Sequence, residues 1–129
     1  MDEKGIKVLV ADDENDFRDL MSFWLKSKGY SVITASNGQE AVQRAAAEKP
    51  DIIFMDLNMP VLDGADALQQ LRQIDKEVPV IVISAFVDDR RAKDVRKFGI
   101  SGVFYKGKDF QEGLSLLEVA LHTHKKLKK

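Results

Sequence analysis

The sequence predicts an α/β domain with a parallel five-stranded sheet doubly wound by helices on both faces. Two observations carry this. Five short apolar runs rich in β-branched residues recur along the chain, and segments of helical period separate them in strict alternation. The runs are near-continuously apolar, as strands are when both faces of a sheet are covered. At 129 residues and 14.5 kDa the chain has the size of one domain, read here as residues 1–129. Its 44% hydrophobic residues supply a core and exclude a disordered chain.

Taken in order, the strands are expected at Ile6–Ala11, Ser31–Thr34, Ile52–Met55, Val80–Ile83 and Gly102–Tyr105. The first helix places Phe17, Leu20, Met21 and Trp24 at i, i+3, i+4 and i+7, with Gly29 as its stop. Trp24 is read as core. Ser36-Asn37 with Gln39-Glu40 predicts a capping box for a second helix facing inward through Ala41, Val42, Ala45 and Ala46, closed by Pro50. Ala67, Leu68, Leu71 and Ile74 define a third, and Ala92 with Val95 a thinner fourth. Asp109 and Glu112 open the fifth, which runs through Phe110, Leu114, Leu117 and Leu121.

Charge is uneven. Residues 1–66 carry 13 acids against 7 bases, whereas residues 67–129 carry 8 acids against 13 bases. The terminal Lys125-Lys126-Leu127-Lys128-Lys129 run reads as a solvated helix end, and the fourth helix (Arg90, Arg91, Lys93, Arg96, Lys97) as a solvated basic face or a surface for an acidic partner. The basic excess is too small, and too poor in interleaved aromatics, to predict nucleic-acid binding. No apolar run is long enough to span a bilayer, and Lys4 and Lys7 interrupt any signal-peptide pattern, so a cytoplasmic protein is expected. Without cysteine there is no disulfide, thiolate nucleophile or cysteine zinc site. His122 and His124, two apart, do not share a helix face, so no transition-metal site is expected.

Open sheets of this class bind ligands at the carboxyl ends of their strands. After the first strand stands Ala11-Asp12-Asp13-Glu14-Asn15-Asp16 in place of a glycine-rich phosphate loop, which argues against dinucleotide and P-loop binding. Asp56 follows the third strand, Ser84-Ala85 the fourth and Lys106 the fifth. Singly, Asp12 or Asp13 could cap the first helix, Ser84 could form a turn and Lys106 could be a solvated charge. Together, carboxylates without His or Cys suit a hard cation such as Mg²⁺, and a lysine supplies a point charge for a phosphoryl oxygen. A carboxylate nucleophile that accepts phosphate needs all of these. Phe86 is read either as lying over the mouth of this site, where it would restrict water, or as ordinary loop packing.

On these residues, with Met59-Pro60 and Asp63-Gly64, the chain resembles the receiver domain of two-component response regulators over essentially its whole length. The resemblance implies a flavodoxin-like sheet of order 2-1-3-4-5. It implies that Asp56 takes phosphate from the phosphohistidine of a sensor histidine kinase or phosphotransfer protein and so switches binding to a downstream partner. By the same resemblance Asp13, Asp56 and the Asn58 carbonyl hold Mg²⁺, with Asp12 acting through water, while Ser84 and Lys106 bind phosphoryl oxygens. Two positions depart from the family pattern: Val103 stands where an aromatic usually precedes the lysine by three, and Gly107 where proline usually follows it. Switching is therefore expected without a buried aromatic rotamer. The expected protein is a signalling switch, not an enzyme, with no output module after the fifth helix. Two alternatives stand beside it: a receiver-like interaction module that is never phosphorylated, and a Mg²⁺-dependent phosphatase using the Asp56-Leu57-Asn58 motif.

Overall fold

A computed structural model describes residues 5–85 and 90–128, with side chains through residue 123. Five strands alternate with helices: β1 Lys7–Ala11, α1 Asn15–Ser27, β2 Ser31–Ala35, α2 Gly38–Glu48, β3 Ile52–Asp56, α3 Gly64–Ile74, β4 Val80–Ser84, α4 Arg90–Asp94, β5 Gly102–Tyr105 and α5 Phe110–Lys128. A 3₁₀ turn, Val95–Phe98, continues α4. All four strand pairings are parallel, and the order is β2-β1-β3-β4-β5, the flavodoxin-like order the resemblance implies. Three strands run one residue further than expected, so Asp56 and Ser84 are the last residues of β3 and β4 rather than the first beyond them.

Alternate residues of each strand enter opposite layers, as the two-residue strand period requires. Leu9, Ile53, Met55, Val80 and Val82 pack with Ala41, Ala45, Leu68, Leu71 and Val95, beneath α2, α3 and the fourth helical segment. Val8, Val10, Phe54, Ile81, Ile83 and Phe104 pack with Met21, Leu25, Leu117 and Leu121, beneath α1 and α5. Both layers are closely buried and apolar, so the carboxyl edge of the sheet is held from two sides.

The helix ends follow their sequence signals. The Asn37 side chain accepts from the Glu40 N–H at 2.8 Å, and Glu40 Oε1 reaches back to the Ser36 N–H at 2.6 Å, closing the expected box. Gly29, at φ +100°, supplies the left-handed stop of α1, and the Tyr30 N–H donates back to the Leu25 carbonyl. The Asp109 side chain accepts from the Gln111 N–H, and the Glu112 N–H donates to the Asp109 backbone carbonyl instead. At the end of α2 Lys49 takes the left-handed conformation (φ 48°) that glycine adopts at lower cost.

Three helical stripes are rotated from expectation. The inward line of α1 is Met21 and Leu25; Leu20, about 100° round the helix, is 59% exposed. Trp24 is half-buried at the rim, its ring 5.9 Å from that of Phe110, and is not a core residue. Ala46 and Ile74 likewise face outward, leaving Ala41–Ala45 and Ala67–Leu68–Leu71 to carry their helices. His122 is exposed. Phe86, His124 and the lysine tail fall outside the side chains described. Among the described residues, no helix is long and apolar enough to cross a membrane.

Candidate functional site

The carboxyl edge of the sheet gathers the residues the sequence singles out. Asp12 leaves β1 fully buried, Asp56 ends β3 at 3% exposure, and Ser84 ends β4 at 1%. Asp13 is exposed. Each of the three aspartates offers an oxygen within 4.8 Å of those of the other two. Neither Asp12 nor Asp13 caps α1. Instead Asp12 Oδ1 accepts from the Glu14 N–H at 2.8 Å, a turn two residues long that fixes the carboxylate inward. Arg18 donates to the Asp12 carbonyl at 2.8 Å and pins the same turn from behind. Asp56 is held alike: its Oδ1 accepts from the Asn58 N–H at 3.0 Å, leaving Oδ2 directed toward Lys106.

Close backbone contact sets the position of Asp56. Gly64 opens α3 against it, and a Cβ at that glycine would lie 2.2 Å from the Asp56 carbonyl oxygen. The Gly64 N–H donates to the Leu57 carbonyl at 3.1 Å, and Asp63 caps the helix through the Asp66 N–H. In the loop between, Val61 adopts φ +67° and the Leu62 N–H donates to the Pro60 carbonyl at 2.7 Å. A β-branched residue in that region is strained, at roughly 1–3 kcal/mol.

Lys106 closes the site from β5. Its Nζ donates to Glu14 and, at 3.3 Å each, to Asp12 Oδ1 and Asp56 Oδ2; it also lies 4.9 Å from the centre of the Phe17 ring. Burial works against its charge, but the hydrogen bonds to Glu14 and Asp12 and the field of Asp56 outweigh it, so its pKa is raised. Burial pushes the Asp12 carboxyl up to about 6, with Asp56 adding to the effect and the Glu14 N–H and Lys106 opposing it. The Asp56 carboxyl is raised too, first by burial, against the Asn58 N–H and Lys106. Asp12 Oδ2 is buried without a hydrogen bond, although Lys106 Nζ stands 3.0 Å away. An unsatisfied carboxylate oxygen among all-oxygen donors fits a hard divalent cation.

Asp13, Glu14, Asn58, Ser84, Arg91 and Lys106 line a cavity of about 360 Å³ over Asp56. A larger hollow, about 660 Å³, lies at the opposite edge between Pro50, Ile74 and Val78, away from the carboxylate cluster. Sequence reasoning missed two participants. Glu14 stood in the acidic run, but its pairing with Lys106 follows from β5 lying opposite α1. Arg91 was read only as part of a basic face. Val103 is half-buried against the α3 side of the core. Gly107 has φ +92°, a conformation closed to the proline usual at that place.

The chain is 46% identical over 88 residues to the transcriptional regulatory protein PrrA of Mycobacterium tuberculosis, covering 67% of this chain and 38% of that protein. It is 28% identical over 106 residues to sporulation initiation phosphotransferase F of Bacillus subtilis, covering 82% and 86%. It thus spans about a third of the length of regulators such as PrrA, and most of the shorter relative. Among solved structures, a response regulator receiver domain protein from Clostridium thermocellum superposes with a TM-score of 0.88 at 27% identity, over 95% of this chain and 98% of that one. Residues 8–118 match the family model of the response regulator receiver domain, and the chain belongs to that family.

Proposed function

We propose that this receiver domain, taken as residues 1–129, accepts a phosphoryl group on Asp56 in a Mg²⁺-dependent reaction and is switched by it. The observation that carries the reading is the setting of Asp56. It is a buried carboxylate fixed through one oxygen by the Asn58 N–H, with its other oxygen 3.3 Å from Lys106 Nζ and facing an open cavity. Asp56 Oδ2 attacks the phosphorus of a phosphohistidine on a sensor histidine kinase or phosphotransfer protein. An O–P bond forms, the P–N bond breaks, and its electron pair stays on the departing imidazole. Ser84 and Lys106 hold the phosphoryl oxygens. Asp13, Asp56 and the Asn58 carbonyl would hold Mg²⁺, with Asp12 acting through water. When bound, the cation neutralises charge that builds on the phosphoryl oxygens in the transition state.

Lys106 leaves Glu14 and turns toward the phosphoryl group, drawing its own loop inward at Gly107, whose positive φ tolerates the move. The switched surface binds a downstream protein; direct nucleic-acid binding and turnover of a substrate are not part of this role, and the setting is cytoplasmic. The relative named as a phosphotransferase supports phosphoryl chemistry on this fold. Against the phosphatase alternative, its Asp-x-Asp motif would have to follow the first strand, whereas Asp56-Leu57-Asn58 follows β3. The intact acidic pair, acceptor and lysine speak against a module that is never phosphorylated.

The test is intact mass after incubation with Mg²⁺ and acetyl phosphate. Wild-type protein should gain one phosphoryl group and Asp56→Asn none; equal labelling of the two would refute the assignment.

A further inference from the structure

The cavity over Asp56 holds a second cation that the phosphoryl-binding pair does not include. Arg91, in the first turn of α4, lines the cavity together with Lys106, and its Nη1 donates to the Leu57 carbonyl. At 3.4 Å that bond is long for an N–H···O contact, and it places the guanidinium one residue from Asp56. Lys106 is meanwhile committed to Glu14, Asp12 and Asp56. Among the described residues four carboxylates (Asp12, Asp13, Glu14 and Asp56) stand with Lys106 and Arg91 here, so a divalent ion brings that set to neutrality only when Arg91 is counted. An incoming dianion adds further negative charge, which a planar guanidinium can meet with two parallel N–H bonds where an ammonium offers a point.

We propose that Arg91 is a second phosphoryl-binding cation, contacting the oxygens of the incoming phosphodonor and then of the aspartyl phosphate. The inference rests on the reading of Asp56 as acceptor. With acetyl phosphate, Asp56 forms an O–P bond while the P–O bond to acetate breaks, and acetate leaves with the electron pair; Arg91 holds the transferring group's oxygens throughout. The contact also supplies a route to the outside of the domain. Arg91 belongs to α4, so exchanging the Leu57 carbonyl for a phosphoryl oxygen moves the start of that short helix directly. This is a readout that needs no aromatic at Val103.

The experiment compares wild type, Arg91→Ala and Arg91→Lys. Labelling rate is followed by intact mass against acetyl phosphate concentration. Thermal stability is measured with Mg²⁺ alone and with Mg²⁺ plus beryllofluoride, a phosphoryl mimic. Arg91→Ala should raise the donor concentration for half-maximal rate about tenfold, the loss of one charge-assisted hydrogen bond. It should lower the added stabilisation by beryllofluoride while leaving that by Mg²⁺ alone equal or larger, since a competing cation is gone. Arg91→Lys should recover part of both. Wild-type donor dependence in Arg91→Ala would overturn the proposal, as would a parallel loss of the Mg²⁺ and beryllofluoride effects, which marks a merely structural arginine. If wild type itself takes no phosphoryl group, the acceptor reading fails and this inference falls with it. Labelled wild type with an indifferent Arg91→Ala sinks this inference alone.

Discussion

Charged groups at opposite ends of the sheet are treated in opposite ways. At the amino-terminal edge, Arg72 at the end of α3 donates to four backbone carbonyls: Phe98 at 2.8 Å, Val78 at 2.8 Å, Asp75 at 3.2 Å and Gly99 at 3.3 Å. Burial lowers its pKa, Asp75 opposes the shift, and the guanidinium is matched donor to acceptor. At the carboxyl edge, Asp12 and Asp56 are more deeply buried than half-buried Arg72 yet share one lysine, and Asp12 Oδ2 has no hydrogen bond. A buried charge with its partners in place is architecture. A buried charge left short of partners costs folding energy and keeps capacity for something that binds.

The largest expected effect lies at the satisfied end. Arg72→Met should destabilise the protein by about 2–4 kcal/mol, because it removes four hydrogen bonds at once, two of them part-buried. Urea unfolding measures this, and Arg72→Lys should recover only part, since an ammonium cannot reach all four. A loss below about 0.5 kcal/mol would mean that water serves those carbonyls equally well.

Removing a charge at the other end should do the reverse. Asp12→Asn should stabilise the metal-free protein at pH 7 by about 1–3 kcal/mol and reduce the rise in melting temperature caused by Mg²⁺. The gain is expected at Asp12 more than at Asp13, because Asp13 is exposed and burial is the leading cause of the strain. The pH dependence has a definite sign. The folded pKa lies above the ordinary 3.8, so the group's contribution to stability is complete below pH 3.8 and is lost as pH rises through about 6. The gap between Asp12→Asn and wild type should therefore open between those values and stay constant above them. A gap that widens toward acid pH would contradict the burial argument.

The smallest effects sharpen the comparison at the backbone. Lys49→Gly should stabilise by about 0.5–1 kcal/mol, relieving a left-handed lysine far from the cavity without changing Mg²⁺ response. Val61→Gly should relieve about 1 kcal/mol, yet alter the Mg²⁺ response as well, because its strained turn holds the loop between Asp56 and Gly64. Equal silence of both variants toward Mg²⁺ would detach the strained loop from the site.

The sequence made one end of this comparison legible and hid the other. Asp56 announced itself because an apolar strand ran straight into a carboxylate, and Asp12-Asp13 because acids stood where a phosphate loop would need glycine. Such signals are local. Arg72 and Arg91 gave little local sign, since among their acceptors are carbonyls at Phe98 and Leu57, 26 and 34 residues away, brought near by the packed sheet. The outward turn of Leu20 and Ile74 was hidden for a related reason. A helical stripe read from spacing fixes its period but not its rotation, which Met21–Leu25 and Leu68–Leu71 decide by packing. The positive φ of Val61 leaves no trace in residue type at all.

The proposed function makes the carboxyl edge of the sheet the reactive end and the amino-terminal edge the fixed one. Amide chemical shifts on adding Mg²⁺ and then beryllofluoride test it most directly. The account predicts large changes at Asp13, Asp56–Asn58, Ser84 and Lys106–Gly107, smaller ones at Val103, and almost none at Arg72, Val78 and Gly99. Changes centred on Val103 and abolished by Val103→Ala, or changes at Arg72 as large as those at Asp56, would contradict it.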